Sequence, residues 1–523
     1  MKKINDVIYK TALNEMLELC KVPRCSNDTF PPKDEKSDNL RCVKKYLADK
    51  AKAYKAANIS TDAVGNIWYD IPATKGFEKY KKLVIQGHMD MVWVAQKEAN
   101  NWNKKTHPII PIIEKINGRE VMHTKDYLTA LGADDSYALG LCLALTKHQK
   151  EFKHGLIRCL FTIDEEVGCN GAMHLGKLKN GKKNNPLDPE QGFNSLLNLD
   201  YVAEGDIIAS SAGLSVTDFW INKIKSVPAT GNLYQLTIDG GLGGHSGIVI
   251  DMGRASAIKL AAQAVKAIGG DARLSSWSTL HQERGIVHPD SRIKFTSSKK
   301  LKEVEEILAN WFKDIKKQYP KEPNLKYELK QLGIEGRKVI ADLRESKLLL
   351  DYVDNLWYGP VSHFMDDGFI ESSANYGPVR LDLKAKTHQF RIYAFVRAAK
   401  NSLTALISNA NERIFEKYII DNFGNKNCKF NMFNYLRAFE YKPNNKLLKI
   451  ASKAYDSIKI KSRITKAHGG LECSHLLTHN PDMDVISLGP KLDDEHTCVE
   501  TLYLDTYKNF CAVILRIIET IGK

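Results

Sequence analysis

His88, Asp134, Glu166, Asp200 and His496 carry donors that bind metals, and the first four each close or follow a short apolar run. Mixed imidazole and carboxylate donors suit zinc best, with manganese and cobalt as alternatives. Spare acids stand beside two of them: Asp90 lies two residues beyond His88 in Gly87-His88-Met89-Asp90, and Glu165 directly precedes Glu166. Five ligands with one shared carboxylate describe two divalent ions. About 3.5 to 4 Å apart, such ions can share a hydroxide and polarise a carbonyl, as peptide hydrolysis at neutral pH requires. Asp134 is the expected bridge, with His88 and Asp200 on one ion and Glu166 and His496 on the other. Asp90 is placed to hydrogen-bond the His88 ring and fix its tautomer. Glu165, not needed as a ligand, is the expected general base, taking a proton from the water and passing it to the leaving amine. Any one of these residues alone reads as an ordinary packed or solvated side chain; the ordered set does not.

Residues so far apart in sequence need strand ends to bring them together. Leu83–Gln86 reads as a strand delivering His88, Leu156–Ile163 as one running into Asp164-Glu165-Glu166, and Ser195–Leu199 as one ending at Asp200. Open α/β sheets place their ligands at such carboxyl ends. A buried helix over Ala138–Leu145 fits strand–helix alternation and a largely parallel sheet, and Lys177–Pro189 reads as a loop. From residue 213 to 401 the texture changes to an α+β insert of antiparallel character. Strands are expected at Leu233–Ile238, Leu381–Ala385 and Phe390–Val396, and helices at Arg254–Ile268 and Leu301–Gln318. Helices over 402–418 and 445–458, a strand over 483–487 and a last helix from Glu500 to Ile521 return to the first texture. The fold class expected is therefore α/β, with a catalytic domain split into residues 1–212 and 402–523 around the insert.

At 523 residues the chain exceeds what one core usually serves, and 43% apolar with 26% charged residues is ordinary for a globular protein. No apolar run is long enough to span a bilayer, and Met1–Asp6 lacks the apolar segment of a signal peptide, so a cytoplasmic protein without a membrane partner is expected. Ten cysteines without Cys-x-x-Cys spacing argue for reduced thiols rather than a disulfide framework. The net charge of +14 raises the question of nucleic acid. Its densest runs, Lys177–Lys183 and Lys299–Lys302, are short and lack interleaved aromatics, which favours a solvated surface.

His88-Met89-Asp90, Gly132-Ala133-Asp134-Asp135, Asp164–Gly168, Leu197–Asp200 and Gly243–Gly247, followed by His468–Cys473 and Ser487–Pro490, form an ordered set over nearly the whole chain. With His496 behind it, this set resembles the aminoacyl-histidine dipeptidases (peptidase D), carnosinase-like zinc dipeptidases. The resemblance implies a dizinc peptidase domain with a lid inserted after the fourth ligand, a homodimer formed through that lid, and small peptide substrates including Xaa-His dipeptides. It places the family's metal ligands on the same five residues and the two catalytic roles on Asp90 and Glu165. His245 resembles the lid histidine that helps hold the substrate carbonyl or oxyanion, in its own subunit or its partner's. Arg397 resembles the arginine that clamps a substrate carboxylate, a task suited to a bidentate fork. Backbone amides of Gly469 and Gly470 would assist.

Departures fall mainly in the lid and the last loop. Asp251 and Ser256 stand where the family has histidine and asparagine, Ser136 replaces a glycine, and an asparagine is missing near Arg284-Gly285-Ile286. His496-Thr497-Cys498-Val499-Glu500 replaces a His-Ser-Pro-Asp-Glu run. Hydrolysis is thus better supported than a histidine preference. Competing readings are a hydrolase of another N-acyl or aminoacyl amide, and a non-catalytic basic binding protein that retains the fold.

Overall fold

The helix Ala133–Lys147 is apolar on every side and buried at every position but its last, so it lies inside its unit rather than on the surface. It packs against the helix Lys2–Cys20 and the strand Lys82–His88. Gly140 permits the helix contact, because a Cβ there would stand 2.6 Å from the carbonyl oxygen of Ala12. The computed structural model describes residues 2–99, 102–177 and 184–522. Residues 178–183, which carry most of the lysine run and part of the expected loop, lie outside the described residues.

The chain divides into two compact units, one of residues 1–210, 441–467 and 471–523, the other of residues 211–440 and 468–470. In the first, eight strands run in the order Ala57–Thr61, Ile67–Ile71, Ile157–Thr162, Lys82–His88, Phe193–Asn198, Asp484–Ser487, Asp206–Ser211 and Arg463–Ala467. The four from Ile157–Thr162 to Asp484–Ser487 are parallel. Ile157–Thr162 is buried at all six positions, as a central parallel strand covered on both faces must be. The helices Lys446–Asp456 and Leu504–Ile521 complete this core.

The second unit is built on an antiparallel sheet whose main path runs Lys326–Leu332, Asn232–Asp239, Ser291–Ser297, Arg273–Ser278, Ile370–Asp382, Phe390–Ala398, Gly213–Ile221 and Cys428–Leu436. The helices Ala257–Ile268, Leu301–Gln318 and Leu343–Asn355 contribute to the core of that sheet. Among the described residues no helix is long and apolar enough to cross a membrane.

Four expectations need correction. Parallel pairing joins four adjacent strands of the first unit's sheet, whereas Ala57–Thr61, Ile67–Ile71 and Asp206–Ser211 make antiparallel pairs. The second changeover falls at residue 440 rather than 401. Helix Asn401–Phe415 packs on strands Phe390–Ala398 and Gly213–Ile221, and Cys428–Leu436 pairs with the latter, which keeps 402–440 with the second unit. The strand expected from Leu381 is the end of a 13-residue strand, Ile370–Asp382, whose register slips between Tyr376 and Val379 around Gly377-Pro378; that dipeptide hides the strand from a pattern reading. The last helix starts at Leu504, because Thr501–Tyr503 is a strand in a four-stranded sheet with Leu492–Asp493, Arg119–Thr124 and Pro111–Ile116.

Candidate active site

All seven residues singled out around the expected metals lie in the first unit, and its topology gathers them. His88 ends its strand and pairs in register with Thr162, the last residue of the neighbouring strand, beyond which come Glu165 and Glu166. Asp200 follows Asn198 on the other side of the His88 strand. Asp134 sits in the first turn of the buried helix with non-helical dihedrals of φ −73° and ψ 111°. His496 occupies the loop between the paired strands Leu492–Asp493 and Thr501–Tyr503, in the left-handed region at φ 62°.

These side chains converge. His88 Nε2 lies 2.9 Å from Asp134 Oδ1 and 3.8 Å from Asp200 Oδ1. His496 Nε2 lies 2.9 Å from Glu166 Oε1 and 3.4 Å from Asp134 Oδ2. Asp134 thus stands between the two imidazoles, one oxygen toward each. Asp90 is fully buried and accepts from Ser26 Oγ at 2.8 Å and from the backbone N–H groups of Glu165 at 3.0 Å and Glu166 at 3.3 Å. Its carboxylate is 3.5 Å from His88 Nδ1, yet the shorter contact of that nitrogen is the Asp90 backbone carbonyl at 3.1 Å. An Nδ1–H donated to that carbonyl leaves Nε2 free to ligate, so the main chain of Asp90 fixes the tautomer with its carboxylate behind. Glu165 accepts from the thiol of Cys169 at 3.5 Å.

Electrostatics set this cluster apart. Burial, reinforced by Asp134, pushes the carboxyls of Asp200 and Glu166 up. Burial, with Glu166, Glu472 and Asp90 nearby, does the same to Glu165 despite the opposing His88. Burial opposes charge on the two imidazoles, but Asp134 outweighs it at His88, and Asp134 with Glu166 pushes His496 up to about 11. The strongest charged influences on Asp134, Glu166 and Asp200 are one another, Glu165 and the two histidines, with no lysine or arginine among them. Carboxylates crowded this way, offset only by imidazoles, fit a pair of divalent cations.

The substrate residues implied by resemblance lie in the second unit. Arg397, on the strand Phe390–Ala398, is only 7% exposed, and its Nη2 sits 3.4 Å from His245 Nε2. Among the described residues the guanidinium has no carboxylate partner, and its Nε has no hydrogen-bond partner. Partial desolvation and the Arg397 charge push exposed His245 down to about 4, and burial with the same charge pushes His468 down to about 3, so both rings are neutral at pH 7. His468 is held by Ser373 Oγ at 2.7 Å. Gly470 has a packing reason of its own, since a Cβ there would meet Leu436 Cδ2 at 2.3 Å, whereas a Cβ on Gly469 would meet nothing.

Several participants escaped the sequence reading. Glu500 is buried, and its carboxylate accepts the N–H groups of Leu131, Gly132 and Ala133 at 2.8 Å and of Asp134 at 3.3 Å, fixing the turn that presents Asp134. Asp135 accepts the His88 N–H at 3.0 Å, and buried Arg24 donates to the carbonyls of Met89, Asp90 and Gly132. Glu472 lies in a block noted for its sequence, but its partners Gln86 and Thr162 are more than three hundred positions away, at separations of 386 and 310.

The chain is 27% identical over 490 residues to the cytosol non-specific dipeptidase of Escherichia coli (strain K12), covering 91% of this chain and 92% of that one. In fold it is similar to aminoacylhistidine dipeptidase from Vibrio alginolyticus, with a TM-score of 0.76, 23% identity and coverage of 97% and 96%. It is also similar to a tripeptidase from Staphylococcus aureus, with a TM-score of 0.57, 15% identity and coverage of 98% of each chain. The sequence profile of peptidase family M20/M25/M40 matches residues 84–520, a span that takes in every member of the cluster from His88 to His496, and the chain belongs to that family.

Proposed function

We propose that the protein is a metal-dependent dipeptidase, cleaving unblocked dipeptides with Xaa-His among them. The observation that carries this reading is the convergence of five imidazole and carboxylate donors, with two spare buried acids, in a member of a peptidase family. The E. coli relative, a non-specific dipeptidase by name, supports the size of the substrate, and Xaa-His dipeptides are included because the motif set resembles that of aminoacyl-histidine dipeptidases. His88, Asp134 and Asp200 would hold one divalent ion, and Asp134, Glu166 and His496 the other, zinc suiting the donors best. When bound, such ions polarise a scissile carbonyl and lower the pKa of water.

The remaining work falls to the chain's own groups. Glu165, whose buried and acid-flanked carboxyl has raised proton affinity, takes the proton of the attacking water and returns it to the leaving amine. Asp90 orients the His88 ring. In the second unit, which we read as the lid and as the homodimer interface, Arg397 binds the substrate's terminal carboxylate, and neutral His245 donates toward the carbonyl oxygen. An uncompensated, desolvated guanidinium is suited to an anionic partner. The setting we expect is the cytoplasm, with neither nucleic acid nor membrane as partner.

Turnover of a panel of defined dipeptides, their N-acylated and amidated counterparts and longer peptides, with metal analysis of the same sample, tests the proposal. Free dipeptides are expected to be hydrolysed fastest, their amidated counterparts measurably but more slowly, and N-acylated dipeptides and longer peptides not at all. A folded protein carrying two equivalents of metal that cleaves no dipeptide would refute it.

A further inference from the structure

Beneath the cluster lies a second polar layer that the mechanism does not use. Gln86, Thr162 and Asn198 sit at the carboxyl ends of three adjacent parallel strands, two residues before His88, at the strand end before Glu165 and Glu166, and two residues before Asp200. Asn198 Nδ2 donates to Gln86 Oε1 at 2.7 Å. Gln86 Nε2 donates in turn to Thr162 Oγ1 at 3.1 Å and to Glu472 Oε2 at 2.6 Å. The Thr162 hydroxyl donates to the same Glu472 oxygen at 2.7 Å. Glu472 comes from a distant part of the chain, immediately before the helix Cys473–His479, and anchors that helix by accepting the His475 and Leu476 N–H groups on its backbone carbonyl.

This arrangement is expensive for folding alone. Glu472 has no exposed surface, no lysine or arginine partner is found for it among the described residues, and its Oε1 has no hydrogen-bond partner. A buried carboxylate that leaves an oxygen unsatisfied destabilises relative to an apolar residue of the same shape. What it does accomplish is to tie three strand ends, each bearing groups of the candidate metal centre, to one point.

We propose that Glu472 is a positioning residue for the metal pair: its Oε2 gathers Gln86 and Thr162, and Asn198 through Gln86, and thereby fixes the spacing of the strand ends that present His88, Glu166 and Asp200. The inference rests on the metallo-dipeptidase reading. Residues that orient ligands in this indirect way change metal affinity by about 10- to 100-fold when removed. Glu472→Ala should therefore weaken divalent metal binding by about that factor and lower kcat in step, while KM for a saturating-metal assay stays near wild type. Glu472→Gln keeps a carbonyl acceptor for both donors and should recover most of the lost affinity.

The test is competition for Zn2+ or Mn2+ against a chromophoric chelator, run on stripped full-length wild type, Glu472→Ala, Glu472→Gln and Thr162→Val, beside thermal unfolding of each metal-free protein. Thr162→Val removes one donor from the tie with little change of shape and serves if Glu472→Ala does not fold; an intermediate loss of affinity is expected of it. Weaker metal binding in Glu472→Ala or Thr162→Val without a matching fall in the metal-free melting temperature supports the assignment. Unchanged affinity in folded variants overturns it, as does a Glu472→Gln protein no better than Glu472→Ala. A wild type that takes up no divalent ion would instead sink the metal-centre reading itself.

Discussion

Histidines in the two units have been driven in opposite directions by what surrounds them. In the first unit buried His88 and more exposed His496 lie among carboxylates, which raise their proton affinity against desolvation. In the second, exposed His245 and buried His468 feel the charge of Arg397 with no acid of comparable influence, and they stay neutral. The same side chain thus belongs to a site suited to cations in one place and to a site suited to anions in the other. Charge selection comes from the neighbours, not from the imidazole.

The hardest blow to that contrast would fall on the acid-rich side. Glu165→Gln preserves shape but removes the proton acceptor, and kcat should drop by roughly 10² to 10⁴ with metal content unchanged. Steady-state kinetics beside metal analysis checks this, and retention of turnover would dismiss Glu165 from its role. On the cationic side the effect should be smaller and selective. Loss of a charge-assisted contact in Arg397→Ala should cost about 1.5–3 kcal/mol, lowering kcat/KM roughly 10- to 150-fold, for a dipeptide with a free carboxylate. The same dipeptide with an amidated end should be almost indifferent to the substitution. Equal losses on both substrates would mean that Arg397 shapes the unit rather than gripping an anion. Arg397→Lys should not rescue, because an ammonium cannot reproduce the planar fork.

The contrast also marks what a sequence can disclose. His88, Asp200 and the Glu165-Glu166 pair were legible because each follows a run of buried β-forming residues, and a parallel sheet puts its groups at strand ends. The helix Leu301–Gln318 was legible for the same reason of period, since its apolar positions repeat as an amphipathic helix requires. Glu500 was harder. It stands in a run whose sequence drew notice, but its role is to accept four backbone N–H groups some 366 to 369 positions away, and no local pattern encodes a partner at that distance. The extent of the second unit is hidden in the sequence because the helix expected over 402–418 has the texture of the first unit. The packing of Asn401–Phe415 on Phe390–Ala398 and Gly213–Ile221, with the pairing of Cys428–Leu436 to the latter, assigns 402–440 to the second unit. Local propensity announces elements; long-range pairing decides to which core they belong.

A smaller effect should separate the units by pH. His288, in the second unit, is 1% exposed and packs so closely on Gly377 that a Cβ there would lie 2.3 Å from its ring, while neither ring nitrogen has a hydrogen-bond partner. Burial holds its pKa down to about 4, with Asp290 and Glu283 too weak to offset it and His281 acting in the same direction as burial. A histidine whose folded pKa lies below its unfolded value binds fewer protons when native, so stability is fully present above the unfolded pKa of about 6.5 and is lost as pH falls toward 4. Between pH 6.5 and 5.5 that linkage amounts to about 1 kcal/mol. Denaturant unfolding followed by tryptophan fluorescence should show the loss, and His288→Leu should flatten this part of the curve by the same amount. An identical acid slope in wild type and variant would show that the ring accepts a proton without penalty, and the second unit would then lose one of the features that sets it against the first.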